Sequence, residues 1–66
     1  GMAKHKPRAD SKEEAQIIGL LAEQGLSTAQ LIEQTGIDAV NIASIISLME
    51  ITGKIRNIGS GIWITA

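Results

Sequence analysis

Sixty-six residues with a net charge of −1 make one small domain at most. The chain has no Cys, so neither a disulfide framework nor a thiolate metal site can hold it together. No run approaches the roughly 18 apolar residues of a membrane span, and the basic amino terminus has no apolar stretch behind it to make a signal peptide.

Residues 1–10, GMAKHKPRAD, are polar, contain the only Pro, and read as a disordered arm or linker ahead of a folded domain at 11–66. Gly1-Met2 resembles the remnant of a cleaved tag, so a longer parent protein is expected. Lys4, Lys6, Arg8 and Lys12 against Asp10 give residues 1–12 a charge of +3. Lys54 and Arg56 against Glu13, Glu14, Glu23, Glu33, Asp38 and Glu50 leave the rest at −4. The folded part is therefore acidic.

Ser11 with Glu14 has the spacing of a capping box, which predicts the start of a first helix. Glu13 and Glu14 also suit the positive end of its dipole. Ala15, Ile18, Leu21 and Ala22 recur at helical spacing, with Ile17 widening the stripe, and Gly25 is expected to end the helix in a left-handed cap. Leu26 is a short apolar link, suited to a third strand. Ser27 caps a second helix over Thr28 to Thr35, with Leu31 and Ile32 pointing inward, and Gly36 ends it. Asp38 caps a third helix, with Ile37 as its hydrophobic staple. Ile42, Ile45, Ile46 and Met49 form its buried stripe, and Gly53 ends it.

After Gly53 the period changes. Lys54 to Ile58 and Ile62 to Thr65 are β-rich runs around Gly59-Ser60-Gly61, which reads as a hairpin. A lone hairpin is marginal in water, so this one must pack on the helices. Trp63, the only aromatic residue, is expected to anchor it against the third helix. The sum is an α+β domain, three helices with a wing of two or three strands: a winged helix-turn-helix.

The stretch Ile18 to Trp63 resembles the carboxy-terminal winged-helix domain of the DNA-processing protein A family (DprA, also called Smf). The residues that carry the resemblance are LLAEQGLSTAQLIEQTGI, then LMEITGKI, then RNIGSGIW. Leu26, Ser27, Leu31, Thr35, Gly36, Leu48, Glu50, Gly53, Ile55, Gly61 and Trp63 fill the family's positions. The resemblance implies a bacterial parent with a Rossmann-like domain that binds single-stranded DNA. That parent helps to load a recombinase during natural transformation.

Enzyme chemistry finds no support in these residues. His5 stands in the arm, Glu13 and Glu14 diverge around a helix, and no Ser/His/Asp set or metal cluster exists. Gly59-Ser60-Gly61 lacks the strand-to-helix setting of a phosphate loop. No cofactor is expected. For duplex DNA, the third helix would enter the major groove, with Asn41 and Ser44 as base or phosphate contacts and Lys54 and Arg56 at the root of the wing. That helix carries no Lys or Arg, and two phosphate contacts are too few for tight binding. For protein contact, Val40, Leu48 and Ile62 lie off the core stripe and could form an apolar patch.

The expectation is therefore a cytoplasmic accessory module of a DprA/Smf-like protein, acting through protein contact and at most weak DNA binding. Its partners would be the parent's Rossmann-like domain, a recombination protein or a second copy, with no membrane involved. The alternative is a sequence-specific duplex binder of the transcription-regulator type.

Overall fold

A computed structural model describes residues 11–66 of the chain. The expected arm, with Lys4, His5, Lys6 and Arg8, lies outside the described residues. Three helices and a small antiparallel sheet follow in the expected order. They are α1 (Lys12–Leu21), β1 (Leu26–Ser27), α2 (Thr28–Thr35), α3 (Ala39–Ile51), β2 (Ile55–Asn57) and β3 (Ile62–Thr65). The sheet order is β1-β3-β2, with β3 between its two antiparallel partners. This is the α+β winged-helix architecture the sequence predicts, and the Leu26 link does supply the third strand.

Each helix starts on its predicted cap. Ser11 Oγ accepts from Glu14 N (3.1 Å), Ser27 Oγ from Gln30 N (3.1 Å) and Asp38 Oδ2 from Asn41 N (3.2 Å). The reciprocal half of a capping box forms at α2, where Ser27 N donates to Gln30 Oε1 (2.8 Å). Gly36 closes α2 at φ +76°. Just before it, the Thr35 hydroxyl donates to Leu31 O (2.7 Å) and accepts from Ile37 N (3.2 Å). The Thr-Gly pair thus holds the tight turn between α2 and α3. At the end of α3, Gly53 N donates to Glu50 O (3.1 Å) and Lys54 N to Met49 O (2.8 Å), with Gly53 at φ +78°. That is the Schellman arrangement, and it turns the chain into the wing.

The core is Ile17, Ile18, Leu21, Leu26, Leu31, Ile42, Ile46, Met49 and Ile55, with Leu20, Ile32, Ile37, Ile45 and Trp63 packed around it. Two details of α1 depart from the expectation. The buried stripe runs Glu14, Ile17, Ile18, Leu21, while Ala15 and Ala22 are exposed. Ile17 is the stripe's centre, since a branched side chain buries more apolar surface than an alanine can. Gly25 is not a left-handed cap either: α1 ends at Leu21, followed by Ala22 in the right-handed region. A Cβ on Gly25 would stand 2.6 Å from Ile62 Cγ2 and 3.3 Å from Ile64 Cγ2, so the glycine is needed for close approach to β3.

The wing is registered by Ile55 opposite Thr65, Arg56 opposite Ile64 and Asn57 opposite Trp63. On the other side of β3, Leu26 lies opposite Trp63 and Ser27 opposite Ile62. Strand alternation therefore places Leu26, Ile55 and Trp63 on the core face, and Arg56, Ile62 and Ile64 on the outer face. Trp63 is half-buried and packs on the core to which α3 contributes Ile42, Ile46 and Met49. β3 lies between β2 and β1 and against α1, while β2 meets α3. The Trp63 indole N–H donates to Thr28 Oγ1 (3.0 Å), in the first turn of α2.

Candidate functional site

The residues expected to meet nucleic acid do not share one commitment. Asn41 and Ser44 are exposed on α3, as a groove-reading helix requires. Asn41 Nδ2, however, donates to Asp38 Oδ1 at 2.6 Å, so the amide serves the helix cap. Lys54 carries a stronger constraint. Its Nζ lies 2.8 Å from Glu14 Oε1, and the two side chains are 13% and 6% exposed. The capping hydroxyl of Ser11 holds the Glu14 backbone, while the Glu14 carboxylate faces inward from α1 to meet the lysine at the α3–β2 turn. The expectation of a phosphate-facing Lys54 thus meets a competing partner inside the fold. The reading of Glu14 as a capping and dipole residue is incomplete for the same reason. Arg56 is exposed on the outer face of the sheet, opposite Ile64.

The residues expected to meet protein divide differently. Val40 (76% exposed) and Leu48 (54%) stand out from α3, and Ile51 (80%) joins them. Ile51 went unpredicted, although it lies eleven residues after Val40, three helical turns on and hence on the same face. A shallow surface depression at Leu48 and Ile51 is lined also by Ala43, Ser44 and Ser47. Ile62 is elsewhere. It is half-buried on the outer sheet face over Gly25, so it does not belong to the α3 stripe. Ile58, 50% exposed at the tip of β2, was likewise not singled out.

α3 is consequently apolar on two sides. Ile42, Ile46 and Met49 face the core, and Val40, Leu48 and Ile51 face outward. A helix apolar nearly all round is ordinarily covered on both sides. Among the described residues, no group of three His, Cys, Asp or Glu side chains is placed to hold a metal ion. No described helix is long and apolar enough to cross a membrane.

Compared with protein-family models, the chain matches the DprA winged helix domain over residues 2–61. Neither the curated proteins nor the solved structures give a match.

Proposed function

The chain belongs to the family of DprA winged helix domains, and we propose that it serves a DprA-like DNA-processing protein as an accessory module that works by docking to protein. Its contact partner would be the parent's Rossmann-like domain, a recombination protein or another copy of the module, within the cytoplasm. Duplex DNA would be bound weakly at most. The observation that carries this reading is the surface of α3. The helix in the groove-reading position presents Val40, Leu48 and Ile51, and it has no Lys or Arg. Lys54, one of the two cations after residue 12, is paired with Glu14.

Nucleic-acid affinity rests largely on neutralised phosphates, and each lost contact removes part of the binding and of its salt dependence. With Arg56 as the free-standing cation of the wing and carboxylates at Asp38 and Glu50 flanking α3, the groove-facing surface repels a duplex more than it attracts one. The test is a titration of the whole chain against random duplex and single-stranded DNA at low salt. Saturation is expected only above the micromolar range. Micromolar or tighter duplex binding that Arg56→Glu abolishes would overturn the proposal and favour the transcription-regulator alternative. Arg56→Glu is the informative variant, because Lys54→Glu would break a buried ion pair and perturb the fold itself.

A further inference from the structure

We propose that the outward face of α3 is a self-association surface, on which two copies of the chain pair through antiparallel α3 helices around a two-fold axis. The inference rests on the docking reading above and names its partner as a second copy.

Three features of the face lead there. The first is its pattern. Val40, Ser44, Ser47 and Ile51 follow at intervals of four, three and four, the seam spacing of paired helices. Leu48 and Ala43 flank the row on its two sides.

The second feature is that the row is complementary to its own reverse. An isologous contact requires that residue i meet j while j meets i. Laid antiparallel about the midpoint between Ile45 and Ile46, the row sets Val40 at the level of Ile51 of the other copy. The same alignment sets Ser44 level with Ser47. Large apolar side chains then meet at both ends. The two serine pairs fall at the crossing, where small side chains let the backbones approach. The exposed stripe is roughly 16 Å long from Val40 to Ile51 at the helical rise, enough for a helix-to-helix seam.

The third feature is charge. The row contains no charged residue, and α3 contains no cation. In the antiparallel pair each Glu50 comes level with the other copy's Asn41, at a helix start that Asp38 already caps, so the two carboxylates lie outside the apolar row at its ends. A parallel pair would leave both Glu50 carboxylates at the negative ends. The large side chains of the row are already exposed at 76% and 80%, so pairing needs no rearrangement of the core.

The chain lacks Cys, which makes the test direct. Whole chains carrying Val40→Cys and Ile51→Cys are oxidised separately and as a mixture. The mixture is expected to give the mixed disulfide dimer, and each variant alone little or none, because in the antiparallel pair like positions stand about 16 Å apart along the helices. Sedimentation equilibrium of the unmodified chain should show a monomer–dimer equilibrium that Ile51→Lys weakens at least about tenfold, while Ala29→Lys on α2 leaves it unchanged. A chain monomeric up to about 1 mM, or cysteines that cross-link as like pairs, would overturn the proposal. Either result leaves the docking reading standing with a different partner, since that reading fails on tight DNA binding instead.

Discussion

Glu14 and Lys54 set the limits of what single residues can do here. A carboxylate and an ammonium 2.8 Å apart and nearly buried hold α1 to the α3–β2 turn, forty residues apart in sequence. Removing one member of such a pair leaves the other charge inside the protein, which costs about 3–5 kcal/mol. Lys54→Ala should therefore lower the melting temperature sharply. Arg56→Ala, two residues on and exposed, should change stability by no more than about 0.5 kcal/mol. Equal effects from the two would remove Lys54 from its structural role. Trp63 tests a second contact. Trp63→Phe keeps most of the ring but loses the bond to Thr28 Oγ1 and should cost about 1 kcal/mol, whereas Trp63→Ala should cost about 3 kcal/mol or more in a denaturant titration. Gly25 tests a third. A Cβ there meets a methyl on the branched Cβ of Ile62, which has little rotational freedom, so Gly25→Ala should cost about 1–3 kcal/mol. In an Ile62→Ala background most of that cost should disappear, and an unchanged cost would show that the crowding lies elsewhere.

At the scale of elements, caps and stops were the most legible part of the sequence because their chemistry is local. A Ser or Asp hydrogen-bonds an amide three residues away whatever the rest of the chain does, which is why Ser11, Ser27 and Asp38 are where spacing puts them. Gly36 and Gly53 follow by the same logic, and Gly36→Ala should destabilise by roughly 1 kcal/mol through its left-handed backbone alone. Gly25 misled because its requirement is tertiary: β3 crosses it, and nothing within α1 reveals that. The phase of the α1 stripe misled because a glutamate is normally counted as solvent-facing. Yet Glu14, Ile17, Ile18 and Leu21 share the spacing of a single helical face, and that spacing was the available signal. Ile51 could have been found in the same way, by continuing the Val40 face for three turns. The partner of Lys54 could not, since no local rule links residues 14 and 54.

For the whole molecule, the architecture and the surface carry different messages. The order of helices and wing is that of a winged helix, and the family match agrees with it. The chemistry at the groove-binding position is apolar and acidic instead, and one of the wing's two cations is turned inward. Fold alone does not decide function, and the side chains on α3 have to be weighed for themselves. The most direct measurement is a map of backbone amide shifts in the isotope-labelled chain, recorded against rising protein concentration and, separately, against rising duplex DNA at low salt. The account predicts that amides around Val40, Leu48 and Ile51 move with protein concentration and hardly respond to DNA. Saturating, DNA-dependent shifts centred on Asn41, Ser44 and Arg56, with no dependence on protein concentration, would contradict it.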